Sequence, residues 1–239
     1  MRGILAKGKS GQFLRPGVFR KGKVAGPIVS FDFGNAASYV LGTTDIVTLK
    51  NLVANKTQYD GTQATSTKRA VLTSGQAVFD GVDDHYPIDA LANAVQTGSF
   101  LIDVTVTASD LLVQSRTLFS AFPASGSGYF MFQFVNTGRL RFVLRNTANA
   151  NVYQGDFGTT GAGGPAFTVG QEYRFRFQIK GNKLNVWVDN TQIGTDIACP
   201  WSSGDAVFVV ATIGAQRSNG GGPTLVFNGS IRKFAITGV

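Results

Sequence analysis

Residues 172–190 read EYRFRFQIKGNKLNVWVDN, two runs of alternating apolar and polar side chains joined at Gly181-Asn182. Period two belongs to a strand with one buried face and one wet face, and a helix cannot satisfy it. Taken as a two-residue hairpin turn, Gly181-Asn182 fixes the register. Lys180 then faces Lys183, and the inward pairs are Ile179 with Leu184, Phe177 with Val186 and Phe175 with Val188. On the outer face Gln178 meets Asn185, Arg176 meets Trp187 and Arg174 meets Asp189, which predicts a cation–π pair and an ion pair. A one-residue slip would bury Asn185 and Asp189, and the cost excludes it.

The same pattern recurs along the chain from Ile28 onward. Strands are expected over 99–108, 116–122, 129–135, 139–145, 172–179, 183–190, 206–213 and 224–236, all rich in β-branched and aromatic residues and separated by Gly, Asn or Ser clusters. Leu140, Phe142 and Leu144 alternate with Arg139, Arg141 and Arg145. Only 88–95, IDALANAV, admits a short helix. With 239 residues, 43% apolar content and 30 glycines, the chain suits one all-β domain: an antiparallel two-sheet sandwich.

No apolar run approaches the ~20 residues of a membrane-spanning helix, and no membrane partner is expected. Residues 1–27 lack the unbroken ~7–15-residue apolar segment of a secretory signal, which argues against export by that route. Cys199 is the single cysteine, so no internal disulfide and no zinc cluster can form, and folding in a reducing compartment is expected.

The net charge of +8 is concentrated. Residues 1–27 hold Arg2, Lys7, Lys9, Arg15, Arg20, Lys21 and Lys23 and no acid, while the remainder carries 15 basic against 14 acidic groups. Six glycines interrupt this stretch, so it is read as an extended basic arm (1–27) ahead of a sandwich body (28–239). Its apolar residues, Phe13, Leu14, Val18 and Phe19 among them, are expected to anchor it on a neighbouring subunit.

FDGVDDHY, residues 79–86, packs three carboxylates and the only histidine into eight positions. Catalysis by paired carboxylates is not expected: Glu172 is the single glutamate, and in a strand the adjacent Asp83 and Asp84 would point to opposite faces. A recognisable nucleophile elbow for His85 to serve is also missing. Asp80, Asp83 and Asp84 could supply hard oxygen ligands to calcium, although the spacing matches no EF-hand loop. The favoured reading is scaffolding: Asp80-Gly81 turns, Phe79 and Val82 enter the core, and the carboxylates accept backbone N–H groups. No cofactor is expected. Trp187 beside Arg176, and Trp201 in a loop after Pro200, are candidate glycan contacts by stacking. The glycine-rich stretches 158–167 and 217–224 lack the Lys-Ser/Thr of a phosphate loop and read as sandwich-edge loops.

FDGVDDHYPI, the hairpin block EYRFRFQIKGNKLNVWVDNTQIGT and the closing FNGSIRKFAI resemble, in this order, signature segments of the concanavalin A-like lectin/glucanase superfamily, specifically its laminin G-like jelly rolls. Residues 48–72 resemble the segment that precedes the F-D-G-x-D-D strand in bacteriophage virion proteins carrying this domain; GTQAT is kept, and Ala70 stands where those proteins have proline. The resemblance covers about residues 30–239. It implies a jelly roll and a non-enzymatic virion component (capsid decoration, head fibre or tail protein), made in the host cytoplasm, homo-oligomeric and fastened to other virion proteins by the arm. Two alternatives stay open: a carbohydrate-binding module recognising host glycans, and a coat-like protein whose arm contacts packaged nucleic acid.

Overall fold

The computed structural model describes residues 26–111, 114–124, 128–135, 137–158, 166–218 and 220–239. Residues 1–25, and with them the anchoring positions Arg2, Lys7, Lys9, Phe13, Leu14, Arg15, Val18, Phe19, Arg20, Lys21 and Lys23, lie outside the described residues.

Two antiparallel sheets face each other. The larger is eight-stranded and runs Thr191–Ala198, Lys183–Val188, Glu172–Lys180, Phe100–Ala108, Asn228–Gly238, Gln76–Asp80 and Val71–Thr73 in spatial order, with Gly26–Asp32 pairing the far half of Asn228–Gly238. The smaller is six-stranded: Asn151–Phe157, Arg139–Arg145, Tyr129–Val135, Arg116–Pro123, Phe208–Ile213 and Tyr86–Pro87. Tyr39–Leu41, Ile46–Leu49 and Gly61–Thr62 form a small third sheet. Among the described residues the α-helix is one short segment, Leu91–Val95. This is the expected all-β sandwich.

The hairpin register is the expected one: Phe175 pairs with Val188, Arg176 with Trp187, Phe177 with Val186 and Ile179 with Leu184. Gly181 and Asn182 have φ of 58° and 63°, the paired left-handed conformation that matches strand twist. The outer pairs need one correction. Asp189 does not ion-pair with Arg174; its carboxylate accepts the Arg174 backbone N–H at 2.9 Å, while the guanidinium turns to Asp103 on the other neighbouring strand.

The core is aromatic because alternate positions of both sheets carry phenylalanine. Phe177 is fully buried among three rings of the smaller sheet: its centroid lies 4.8 Å from Phe132, 4.9 Å from Phe142 in a parallel stack and 5.8 Å from Phe157. Phe134 meets Phe175 at 5.8 Å, and Phe119 meets Phe234 at 5.5 Å. Edge-to-face pairs of this kind add to the burial each ring contributes.

Every strand before Phe100, and two after it, fall outside the expected stretches. Asn151–Phe157 and Thr191–Ala198 are sheet edges, wet along much of both faces, so their sequences NVYQGDF and TQIGTDIA show little alternation. Conversely, 224–227 are not part of the closing strand. They carry bridges from Thr224 to Gln216 and from Val226 to Thr117.

Candidate functional site

The 79–86 segment makes a turn in which two of the three carboxylates, Asp80 and Asp84, accept backbone N–H groups. Asp80 Oδ1 accepts the Val82 and Asp83 N–H groups at 2.7 and 3.4 Å, and Asp84 Oδ2 accepts the Asp80 N–H at 2.9 Å. Gly81 has φ +79°, and a Cβ there would meet Asn228 at 2.7 Å, so glycine is required. Because this residue curls the chain, Asp83 and Asp84 do not project to opposite faces of a strand. Carboxylate oxygens of Asp80, Asp83 and Asp84 all lie within 4.8 Å of one another. Val82, expected inside, is 74% exposed; Phe79 and Tyr86 fill the core instead. These acids would be the holders of a calcium ion, but backbone N–H donors already point into the cluster, an arrangement suited to closing a turn and unsuited to a cation. Asp84, 3% exposed, has its carboxyl pushed up to about 6 by burial, with Asp80 and Asp83 adding repulsion.

His85 is a core residue. Its Nδ1 lies 2.7 Å from the Asp83 carbonyl, which assigns the proton to Nδ1, and Gln63 Nε2 donates to the His85 carbonyl at 3.0 Å. Burial holds its pKa below the usual value. Cys199 is buried, and burial pushes its thiol up to about 12, far from a nucleophile's range. Trp201 is corrected as a glycan contact: it is 1% exposed, stacks on Phe208 at 5.7 Å, and donates Nε1–H to the Val95 carbonyl at 3.1 Å.

A different site emerges on the outer face of the larger sheet. Pairing brings Asp32 beside Lys233, Lys233 beside Thr105 and Thr105 beside Arg174 across four strands. One step along, Ser30, Ala235, Asp103, Arg176, Trp187 and Gln192 form a second row across six strands. Small side chains at Ser30, Ala235 and Thr105 leave a groove of about 540 Å³ between charged walls. Three ion pairs build those walls. Arg174 grips Asp103 with both Nε (2.8 Å) and Nη2, Arg232 Nε meets Glu172 Oε2 at 2.8 Å, and Lys233 Nζ meets Asp32 Oδ2 at 3.0 Å. The row continues to Trp187, over which Arg176 lies with its guanidinium carbon 5.2 Å from the ring centroid. Three strand spacings, ~14 Å, separate the Ala235 and Trp187 strands.

Sequence pattern points to Arg176 and Trp187, which lie on the same row beyond the groove's lining. The alternation marks Arg174 and Glu172 as outward, but the partners Asp103, Arg232, Lys233 and Asp32 come from strands distant in sequence, and strand order is what unites them.

The sequence matches no protein-family model and no curated protein. Its fold is similar to that of solved structures. The CBM40 domain of the Ruminococcus gnavus IT-sialidase, solved with bound α2,3-sialyllactose, aligns with a TM-score of 0.54 and 16% identity over 67% of this chain and 88% of that one. The leech intramolecular trans-sialidase, complexed with 2,7-anhydro-Neu5Ac, gives 0.53 and 16% over 68% of this chain. Trypanosoma rangeli sialidase in complex with sialic acid gives 0.59 and 11% over 89%. The chain spans 25% and 30% of those two enzymes. At such identities the likeness is one of fold alone: an antiparallel jelly-roll-like sandwich.

Proposed function

We propose that this chain is a non-enzymatic sandwich that binds glycans on the outer face of its larger sheet. The observation that carries the reading is the outer-face row Ser30, Ala235, Asp103, Arg176 and Trp187, which runs on from the floor of the groove to an aromatic ring. It sets hydroxyls, carboxylates and guanidinium groups beside an aromatic ring, the set that saccharide hydroxyls and ring faces require. The fold it shares with a sialyllactose-binding module supports the same reading. Against turnover, each groove carboxylate pairs with a cation rather than facing a second carboxylate across a substrate-sized gap. An array of glycans probed with the full chain, its Trp187→Ala variant and its Arg232→Ala variant tests this. Binding that both variants weaken supports the reading, and binding indifferent to both rejects the site.

A second reading concerns where the module works. The four ordered motifs and the acid-free segment 1–27 favour a structural role in a bacteriophage particle, with the arm fastening a homo-oligomeric protein to other virion components. The two readings are compatible, since a virion-surface sandwich can meet host glycans while its arm holds the particle. With the body beyond residue 27 at +1, any contact with packaged nucleic acid belongs to the arm.

A further inference from the structure

We infer that the groove selects uncharged glycans, built of neutral hexoses or N-acetylhexosamines, over carboxylated or sulfated ones; this rests on the glycan-binding reading above. Charge balance is the reason. Lys233, Arg174 and Arg232 each hold a carboxylate, Asp32, Asp103 and Glu172 respectively. Arg174 already turns its Nε–Nη2 side, one of the two faces that read a carboxylate in parallel, to Asp103. Farther along, Arg176 lies over the Trp187 ring, and its Nη2 donates to the Asp189 backbone carbonyl at 3.5 Å. An anion entering at any of these three pairs would lie against the carboxylate already bonded there.

The capacity left over is mixed in sign. Glu172 Oε1 can accept, the Arg232 Nη groups can donate, and the hydroxyls of Ser30 and Thr105 can do either; none of these atoms has a hydrogen-bond partner among the described residues. A sugar hydroxyl donates and accepts at once and matches such a set. A carboxylate or sulfate only accepts, and leaves the Glu172 oxygen facing negative charge.

Calorimetric titration of the full chain decides it, with lactose, N-acetyllactosamine and cello- and malto-oligosaccharides as the neutral set and sialyllactose and sulfated lactose as the acidic set. At least one neutral sugar is expected to bind, with affinity changing less than about twofold between about 0.05 and 0.5 M sodium chloride. Glu172→Gln, which frees Arg232, is expected to tighten sialyllactose binding roughly tenfold, about one charge-assisted hydrogen bond's worth. Binding confined to the acidic set overturns the selectivity while leaving the glycan reading intact. Binding of neither set by protein whose circular dichroism is that of a folded sandwich rejects the glycan reading, and the selectivity with it.

Discussion

Arg176 lies over Trp187 with its guanidinium carbon 5.2 Å from the ring centroid, the two residues being directly opposite in the hairpin register. The pair is local in sequence and continues an outer-face row whose other members are not. Arg176→Ala uncovers the indole: tryptophan emission should move to longer wavelength, while stability falls by only about 0.5–1 kcal/mol, as for an exposed cation–π pair. An unchanged spectrum would mean that the arginine does not shield the ring in solution.

Phe177 supports that hairpin from inside, with three rings of the opposing sheet within 6 Å of its own. Phe177→Ala should cost on the order of 3–5 kcal/mol in denaturant unfolding, because neighbouring phenylalanines cannot close the cavity without leaving their own contacts. A loss under ~1 kcal/mol would contradict the register.

Asp84 gives the fold a pH dependence with a definite sign. Its folded carboxyl titrates at about 6 against 3.8 for the free side chain, so the folded state holds the proton more tightly. The associated stability is fully present below pH 3.8 and is lost as pH rises through about 6. Asp84→Asn keeps an acceptor for the Asp80 N–H and removes the buried charge. Its advantage over wild type should grow between those two pH values and level off above them, at on the order of 1–3 kcal/mol. An Asn variant that is less stable than wild type at pH 8 would mean that the carboxylate is held by partners stronger than that N–H, a bound cation included.

The chain should hydrolyse neither sialosides nor glucans. Glu172, its single glutamate, is tied to Arg232, and the 79–86 carboxylates close a turn. Turnover by wild type that disappears in the Asp83→Asn/Asp84→Asn double variant would overturn this.

Removing residues 1–25 should leave the sandwich folded, because Gly26 still pairs with Gly238 and the strand keeps its ladder. If the arm fastens the protein to a particle, Phe13→Ser/Phe19→Ser should reduce incorporation more than replacing any one lysine, since seven charges are redundant and large apolar anchors are few. Undiminished incorporation of the shortened chain would remove the anchoring role.

What the sequence made legible follows from what is local. The 172–188 hairpin could be registered residue by residue, because both strands adjoin their turn and charge marks the wet face. Asp80-Gly81 could be read as a turn, since glycine and a side-chain acceptor act within a few residues. Val82 and Trp201 were misplaced for the opposite reason. Val82 sits at the crest of a bend where alternation no longer applies, and Trp201 in its loop looks free until the chain brings Phe208 and the Val95 carbonyl to it. The groove needed the strand order itself, with Phe100–Ala108 inserted between Glu172–Lys180 and Asn228–Gly238, and no pairing of that range is written in local pattern.

The central claim is that ligand binds the outer face of the larger sheet, and amide chemical-shift mapping during titration with a bound glycan tests it most directly. Saturable shifts are expected at Ser30, Thr105, Arg174, Trp187 and Ala235, with the Asp80–His85 turn unmoved. Shifts centred on that turn, or on the smaller sheet, with the Thr105–Arg174 row silent would contradict it.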